Sequence, residues 1–374
     1  GEFCLPLFED MRFGLFVHWG LYAIPGWHEQ IQWRRHIPKR EYVRLADQFR
    51  PSAFDPYEWV RTAKRTGMQY LCFTAKHHDG FCMWNTAYTD YNVMHTPFGR
   101  DVLAMLAKAC HEEGFGLCIY YSIPDWHHPR SVNDGRHHRL DRPNPGDQSD
   151  EEAYIRYVKN QVEELCSNYG KIDGFFWDIP PERYDPSVNE LIRKLQPGIL
   201  INDRGYDQGD YGTPEREIPA GSSFPRLTEA CQSVGVQSWG FREQEDYHSC
   251  RFLMEGITKI LCRGGNYLLN AGPRADGSFP PQALDIFCRI GSWYTRVGSA
   301  LTAEPASGYM EREDFLLTRS GNTLYVHLAP MPESSGLILN PIAVKPLHGI
   351  VLNTGQTLRC EVESMPSMFS GGEI

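Results

Sequence analysis

The chain repeats one pattern of hydrophobic and polar positions: an amphipathic stretch that starts at a polar residue, a glycine, and then a short apolar run. In the first copy Asp55 precedes Pro56, residues 57–66 have helical periodicity, Gly67 follows, and an apolar run spans 69–74. An acidic residue before the first turn, proline inside it and glycine after the last turn are helix start and stop signals. The pattern therefore predicts a helix followed directly by a buried strand.

Four further copies follow, and an apolar strand at 13–18 precedes the first one. The further helices are predicted at 101–109, 149–165, 186–195 and 252–261, and their strands at 115–121, 172–178, 199–202 and 267–270. Strands that are apolar throughout and alternate with helices are typical of a parallel sheet covered on both faces.

Such a sheet is either an open doubly wound sheet or a closed barrel. The turn after the first strand, Gly20-Leu21-Tyr22-Ala23, lacks the glycine-rich dinucleotide pattern, which favours an α/β fold of the (β/α)₈-like TIM barrel type over residues 1–300. The stretch 126–150 is predicted to be a long barrel loop. Short alternating runs at 315–318, 323–328, 349–352 and 358–362 predict a small C-terminal antiparallel β-sandwich over 301–374.

Charge and hydropathy exclude two classes of partner. The 374 residues carry a formal net charge of −10, and no basic stripe stands out, so nucleic acid is disfavoured. No window approaches the roughly 20 consecutive apolar residues that a bilayer span requires. A soluble protein without nucleic acid or membrane partners is expected, and its oligomeric state stays open.

The eleven cysteines are scattered without C-x-x-C spacing, as is typical of buried thiols in a reducing compartment. Cysteine usage therefore favours a cytoplasmic location. The first residues, Gly1-Glu2-Phe3, are typical of a cloning remnant, so a removed signal peptide also stays possible and the localisation is open.

Polar side chains follow the strands of the predicted barrel, where enzymes of this fold place their reacting groups. These residues are His18, His77, His78, Tyr120, Asp178 and Arg204. Several tryptophans offer aromatic surfaces near them: Trp19, Trp27, Trp33, Trp84 and Trp239. Sugars need this combination, because their hydroxyl groups bond polar side chains and the apolar face of the ring packs on aromatic ones. The predicted site is therefore a carbohydrate site.

Five stretches in sequence order carry a family resemblance. They are Met11–Gly20, Thr74–Phe81 with Trp84 after it, Thr213-Pro214-Glu215, Ser238-Trp239-Gly240 and Gly264–Pro273. Together they resemble the α-L-fucosidases of glycoside hydrolase family 29. The resemblance implies a catalytic barrel with a C-terminal β-sandwich, and a retaining exo-hydrolase that removes α-linked L-fucose from glycans without a cofactor or metal.

The resemblance also implies the two carboxyl groups of the reaction. The nucleophile of the family closes the fourth strand, which is Asp178 here, whereas Asp173 lies near the start of that strand. The acid/base follows the Asn-Asp-Arg strand, and Glu215 is the favoured match, with Glu229 and Glu217 as alternatives. A retaining mechanism requires about 5–5.5 Å between the two carboxyl groups.

Substrate-binding roles follow in the same way. The resemblance implies that His18, His77 and His78 bind ring hydroxyls, that Trp33 and Tyr120 contact hydroxyls or the nucleophile, and that Arg204 lies near the reacting centre. Trp239 falls where the family builds an apolar pocket for the C6 methyl group of fucose.

Two positions depart from the pattern of the family. Gln32-Trp33 stands where many relatives have Glu-Trp, which replaces a charged acceptor with an amide. Phe176 stands where tryptophan is frequent, and Trp177 is expected to face the opposite side of the strand. Both departures bear on substrate preference rather than on the reaction.

Two alternatives to a hydrolase of this kind remain. The first is an inactive fucose-binding barrel that acts as a lectin. The second is a metal-dependent barrel hydrolase, suggested by His77-His78, His127-His128 and His137-His138. Neighbouring residues of a strand point to opposite faces, so this spacing is poor for metal ligands.

Overall fold

The computed structural model describes residues 6–221, 223–307, 315–329, 332, 334–337, 339 and 346–361. Within these ranges, no helix has the length and apolar character needed to cross a membrane.

A parallel sheet forms the centre of the described part of the chain. Its seven strands are β1 (Phe13–Val17), β2 (Tyr70–Lys76), β3 (Gly116–Ser122), β4 (Gly174–Asp178), β5 (Leu200–Ile201), β6 (Glu229–Ser233) and β7 (Asn266–Ala271), in the spatial order β5-β4-β3-β2-β1-β7-β6. All six pairings between them are parallel. The predicted strands are confirmed, and β6 was not predicted, because Glu229 and Gln232 interrupt its apolar pattern.

Helices alternate with these strands. The α-helices are α1 (Pro6–Glu9), α2 (Ile31–Arg34), α3 (Lys39–Tyr42), α4 (Pro56–Thr66), α5 (Val102–Glu112), α6 (Glu151–Asn168), α7 (Pro186–Leu195), α8 (Cys250–Leu261) and α9 (Pro281–Leu301), and short 3₁₀ helices cover Leu21–Ala23, Val43–Gln48 and Val93–His95. The side chains of Asp55, Asp101, Asp150, Asp185 and Ser249 accept hydrogen bonds from backbone N–H groups in the first turns of their helices. The predicted helices are therefore confirmed, and residues 123–150 form the predicted long loop.

Residues 211–216, called here the closing segment, fill the gap between the two edge strands. Tyr211 forms a parallel bridge with Asn202 after β5, and Glu215 forms one with Cys231 of β6. The backbone N–H of Cys231 donates to Pro214 O at 3.1 Å. The closing segment thus takes the position of a further strand and completes a barrel-like wall.

Strand residues divide between the interior and the outer layer with a period of two. An apolar interior cluster contains Phe16, Tyr70, Cys72, Cys118, Tyr120, Phe176, Leu200, Tyr211, Cys231 and Leu268. Their strand neighbours, among them Leu15, Leu71, Leu117, Trp177 and Leu269, pack in the larger cluster that includes the helices. Trp177 therefore faces away from Phe176, as predicted.

The amino ends of the strands form a closed floor below this cluster. Leu7 and Phe8 of α1 are buried against it, and the amide of Asn266 donates to Leu7 O at 2.8 Å. Tyr70 donates its hydroxyl hydrogen to Glu229, which is completely buried. The floor therefore holds a carboxyl group far from the strand ends where chemistry is expected.

Antiparallel sheets follow α9, as predicted. β8 (Glu304–Pro305), β9 (Phe315–Ser320) and β10 (Thr323–Leu328) form a three-stranded sheet, and β11 (Gly349–Val351) pairs with β12 (Gln356–Leu358). The strand predicted at 358–362 therefore ends at Leu358, and Val362 lies outside the described residues. Thr318 of β9 donates to Ala300 O at 2.6 Å, which fastens this region to α9. The domain division at residue 300 stays a prediction.

Replacing the buried carboxyl group of the floor should change how stability depends on pH. Burial raises the pKa of Glu229 to about 7. The folded protein therefore keeps Glu229 protonated at pH values where the unfolded chain is already ionised, so stability should fall as pH rises from about 4.5 to 7. In Glu229→Gln this contribution to the fall in the free energy of unfolding, about 3 kcal/mol at most, should be absent.

Urea unfolding at pH 5 and pH 8 measures the effect. The same difference between the two pH values in wild type and Glu229→Gln would contradict the prediction.

Candidate active site

The carboxyl ends of the strands form the rim of the barrel, and the rim brings the predicted polar residues together. His18 follows β1, His77 and His78 follow β2, and Asp178 ends β4. The rings of His77 and His78 lie 4.2 Å apart, and His77 stacks on Tyr120 of β3 at 5.5 Å. These residues therefore form one polar surface above the apolar interior cluster.

Asp178 is held by donors on both carboxylate oxygens. Tyr120 donates to Oδ2 at 2.6 Å, and Arg204 donates from Nη1 to Oδ1 at 3.0 Å. The backbone N–H of Ile179 also donates to Oδ1 at 3.0 Å. These contacts fix the side chain in one orientation and favour its ionised form.

Two opposing effects set the charge of Asp178. Burial alone would raise its pKa, but the positive charge of Arg204 and the hydrogen bond from Tyr120 outweigh burial, so the pKa lies below its ordinary value. Burial by itself would also lower the pKa of Arg204, and contact with Asp178 raises it instead. The pair therefore stays charged, with Asp178 ionised.

Glu215 reaches the same guanidinium group from the closing segment. Arg204 Nη1 lies 3.1 Å from Glu215 Oε2 and 3.0 Å from Asp178 Oδ1, so these two oxygens are no more than about 6 Å apart. This limit on one pair of oxygens is compatible with the roughly 5–5.5 Å separation of the carboxyl groups in retaining enzymes. The side chain of Glu215 is 41% exposed and that of Asp178 only 14%, so the two groups differ in their access to water.

The alternative glutamates are placed elsewhere. Glu229 lies in the barrel floor at the start of β6, paired with Asn266 at the start of β7. Glu217 is exposed, two residues beyond Glu215. Asp173 precedes β4 and accepts from Leu117 N at 2.9 Å, so it is at the strand starts, as predicted. Among these carboxylates, the structure brings Glu215 next to Asp178.

Hydrogen bonds fix the tautomers of two rim histidines. The amide nitrogen of Asn270 donates to Trp239 O at 2.7 Å, so its oxygen faces His18 Nδ1 and accepts from it at 2.7 Å. Ser122 donates to Pro124 O and therefore accepts from Nδ1 of His78 at 2.6 Å. In both rings Nε2 keeps a lone pair that can accept a hydrogen bond from a hydroxyl group.

All three rim histidines are neutral at neutral pH. Burial lowers the pKa of His18, it lowers the pKa of His77 further, and it brings the pKa of His78 to about 4. His78 Nε2 lies 3.8 Å from Asp178 Oδ2. His77 Nδ1 is buried and has no hydrogen-bond partner among the described residues.

An ion pair below the histidines holds the end of β2. Lys76 and Asp125 are fully buried, and their charged atoms lie 3.0 Å apart. Burial alone would raise the pKa of Asp125, but Lys76 outweighs it and lowers the value to about 2. Because Lys76 directly precedes His77, this pair fixes the start of the histidine segment.

Trp239 forms the wall beside His18. The two rings stack at 5.4 Å, and Phe16 lies 6.2 Å from Trp239. Glu29, a buried carboxylate that sequence reasoning missed, accepts from the backbone N–H groups of Trp239 and Gly240 at 3.0 and 3.1 Å. Its position between Trp27 and Gln32 on the chain gave no separate signal.

The other predicted aromatic surfaces differ in their access to the site. Trp33 is half-buried and lies 5.4 Å from His138, whose ring is 5.8 Å from His78. The neighbouring Gln32 is buried with an unpartnered Oε1. Trp19 and Trp84 are completely buried in the outer cluster, so the expectation that they offer surfaces to a sugar is wrong: the helices cover them.

His77, His78 and Asp178 offer three possible metal-ligand atoms within 4.8 Å of one another. The expectation that their spacing separates the two histidines is wrong, because both lie beyond the end of β2, where strand alternation no longer applies. Asp178 is already neutralised by Arg204, and a second cation beside that guanidinium would be repelled. The group is therefore better suited to hydroxyl ligands, and a metal-free reaction stays a prediction.

A barrel rim with two close carboxylates, one enclosed and one open, beside neutral histidines and a tryptophan wall defines a glycoside hydrolase. Comparison with known proteins identifies the family. Residues 4–299 match the family model described as alpha-L-fucosidase. The chain belongs to the α-L-fucosidase family.

Individual relatives agree with this assignment. The chain is similar to rat tissue α-L-fucosidase, with 26% identity over 87% of this chain and 76% of the relative. The solved α-L-fucosidase isoenzyme 1 of Paenibacillus thiaminolyticus is 32% identical, with a TM-score of 0.83, over 96% of this chain and 89% of that one. A trapped covalent intermediate of a Bacteroides thetaiotaomicron family 29 α-L-fucosidase has a TM-score of 0.79 at 29% identity, over 94% and 88%.

Removing the guanidinium beside Asp178 should shift the acidic limb of the pH–rate profile. Arg204 holds the pKa of Asp178 below its ordinary value. In Arg204→Gln the pKa should rise, so activity should be lost at a higher pH as the solution is acidified, by about one pH unit or more. The measurement is kcat/KM for an aryl α-L-fucoside between pH 3 and 8.

Arg193→Gln is the matched control, since Arg193 pairs with Asp207 and Asp210 away from the two carboxylates. An acidic limb that stays in place in Arg204→Gln would show that Arg204 does not set the charge of the titrating group.

Proposed function

We propose that this chain hydrolyses terminal α-linked L-fucose from fucosylated oligosaccharides or glycoconjugates, with Asp178 as the nucleophile and Glu215 as the acid/base. The observation that carries the proposal is the shared contact of Arg204 Nη1 with both carboxylates, at 3.0 and 3.1 Å. One charged donor thereby holds an enclosed and an open carboxyl group close enough for a retaining reaction.

The first step forms a glycosyl-enzyme. Asp178 Oδ attacks the anomeric carbon, the bond from that carbon to the glycosidic oxygen breaks, and Glu215 gives its proton to the departing oxygen. In the second step Glu215 takes a proton from water, and the water oxygen displaces Asp178. The two displacements release fucose with its anomeric configuration retained.

A covalent intermediate has been trapped in a similar enzyme. The Bacteroides thetaiotaomicron structure holds it with 2-fluoro-fucosyl fluoride, in a variant whose glutamate is replaced by glutamine. A nucleophile and a separate glutamate are the two groups that such an intermediate requires. This supports a double displacement for the present chain, and it supports the division of roles between Asp178 and a glutamate.

Neutral histidines supply the acceptors for the sugar hydroxyls. We assign His18, His77 and His78 to this role, because their lowered pKa values leave uncharged rings with lone pairs. Trp33 is assigned a contact at the outer edge of the sugar site through its neighbour His138.

Trp239 and Phe16 form the apolar wall suited to the C6 methyl group. A galactose ring would place a hydroxyl group against this wall without a partner, at a cost of about 1–3 kcal/mol. The proposed substrate is therefore the deoxy sugar.

Azide should distinguish the roles of the two carboxylates. Asp178→Gly should lower kcat/KM for an aryl α-L-fucoside by about 10³-fold or more, because the covalent step is lost. Added azide should take the place of Asp178 in this variant and give a fucosyl azide of inverted configuration. In Glu215→Ala, azide should attack the glycosyl-enzyme and give the retained configuration. NMR of the products measures both outcomes.

Glu217→Gln provides the control, and its activity should stay within about twofold of wild type because its side chain is exposed beside the site. Full loss in Glu217→Gln would move the acid/base role there. Well-folded wild type that binds fucose but hydrolyses no fucoside would instead indicate the lectin alternative, and loss of wild-type activity in EDTA would indicate the metal-dependent one.

Opening the apolar wall should weaken the preference for the methyl group. Trp239→Ala removes the ring that stacks on His18 at 5.4 Å. The ratio of kcat/KM for an aryl α-L-fucoside over the aryl α-L-galactoside should fall by about tenfold, because water can then solvate the added hydroxyl. Trp293→Phe, on α9, is the control and should keep the wild-type ratio. An unchanged ratio in Trp239→Ala would remove Trp239 from the methyl pocket.

A further inference from the structure

Arg216 connects the closing segment to the wall of the sugar site. We propose that it is a positioning residue that holds the carboxyl group of Glu215 and the ring of Trp239 in a fixed relation to each other. The inference rests on the proposed function, since it takes Glu215 as the acid/base and Trp239 as the wall for the methyl group.

The backbone of Arg216 adopts an unfavourable conformation that contacts with other residues must stabilise. Its φ angle is 54°, in the left-handed region that a residue with a side chain rarely adopts. Its N–H donates to Cys231 O of β6 at 3.0 Å. This bond and the bridge between Glu215 and Cys231 attach the closing segment to β6 at the residue that bears the acid/base.

The side chain of Arg216 makes the second attachment. Its Nη1 lies 3.2 Å from Gln232 Oε1, 3.3 Å from Gly235 O and 3.2 Å from Val236 O. Its guanidinium also lies 4.4 Å from the centre of the Trp239 ring. One side chain therefore binds the end of β6, the loop after it and the tryptophan of the wall.

A lysine cannot replace this set of contacts. A guanidinium is planar, so it can stack on an indole ring and donate to several carbonyl groups at once, whereas an ammonium is a compact point charge. Without the guanidinium, the backbone bond to Cys231 O alone remains of the contacts of Arg216 given above, so its left-handed backbone is held less firmly. Glu215 should then lose its fixed position beside the glycosidic oxygen, and Trp239 its fixed position beside the methyl group.

A displaced acid/base changes the relative rates on substrates with different leaving groups, whereas a loss of folded enzyme lowers all rates by the same factor. Proton donation is essential for a sugar leaving group, which departs as a strongly basic oxygen, and hardly matters for a nitrophenol, which departs as a stable anion. A positioning defect therefore slows hydrolysis of a fucosyl disaccharide more than that of the aryl fucoside. A purely structural defect reduces both by the same factor.

The experiment compares wild type, Arg216→Gln and Arg216→Lys on 4-nitrophenyl α-L-fucoside, on its α-L-galactoside analogue and on a fucosyl-N-acetylglucosamine disaccharide. In both variants kcat/KM for the disaccharide should fall by about tenfold or more, and that for the aryl fucoside by less than about threefold. The preference for fucoside over galactoside should fall as well, because the wall is loosened.

Arg226→Gln is the control. Arg226 is an arginine of the same region that pairs with Asp203 and bonds Gln208 O and Gly209 O, so its loss should leave all three rates and the preference unchanged. Thermal unfolding of each variant establishes that the measured enzyme is folded. If Arg216→Gln does not fold, Arg216→Lys carries the same comparison, because it keeps the charge and most of the volume.

Equal factors for disaccharide and aryl fucoside, or unchanged rates in both variants, would overturn the positioning role of Arg216. A larger loss on the disaccharide than on the aryl fucoside, with an unchanged preference for fucoside over galactoside, would overturn the link to Trp239. Wild type without activity on any of the three substrates would instead contradict the proposed function, which is a separate outcome.

Discussion

The contact of one guanidinium with two carboxylates is the interaction on which the rim depends. Asp178 ends a buried strand, and an uncompensated carboxylate there would be protonated or would destabilise the fold. Arg204, from the loop after β5, supplies the charge that Asp178 needs and also reaches Glu215. Because Arg204 Nη2 is bonded to Thr213 O at 2.6 Å, the closing segment is attached to the same side chain. Arg204 therefore both compensates the charge of Asp178 and positions the two reacting groups relative to each other.

The side chains that stabilise the barrel and those proposed to carry out the reaction lie at different levels along the barrel axis. The floor is plugged by α1 and contains Glu229, whose carboxyl group accepts a hydrogen bond from Tyr70 and has a pKa raised by burial. The middle is filled with apolar side chains such as Phe16 and Leu268. Charged and neutral polar groups collect above it at the rim, where a ligand can enter. The apolar middle excludes water below Asp178, which strengthens each electrostatic contact at the rim.

Two departures from ordinary backbone geometry directly follow the proposed catalytic carboxylates. Five non-glycine residues within the described ranges have φ between 47° and 60°: His36, His137, His138, Ile179 and Arg216. Ile179 directly follows Asp178, and its N–H bonds the carboxylate of that residue. A β-branched residue in this region costs on the order of 1–3 kcal/mol, and such a cost persists only where the surrounding contacts fix the conformation. Both proposed catalytic carboxylates therefore precede a residue that the local fold holds in an unfavourable geometry.

The sequence by itself determined the repeating elements, the parallel sheet, the polar strand ends and the family, because hydrophobic periodicity, capping residues and local motifs are properties of short stretches. It missed β6, whose interior position tolerates Glu229 and Gln232 only because Tyr70 and Arg216 bond them from distant parts of the chain. It also placed Trp19 and Trp84 on the sugar site, although helix packing buries both. Only the tertiary structure decided which glutamate stands beside Asp178, how the closing segment completes the wall, and which histidine nitrogens are free. These depend on contacts between residues far apart in sequence, and no local pattern encodes such distances.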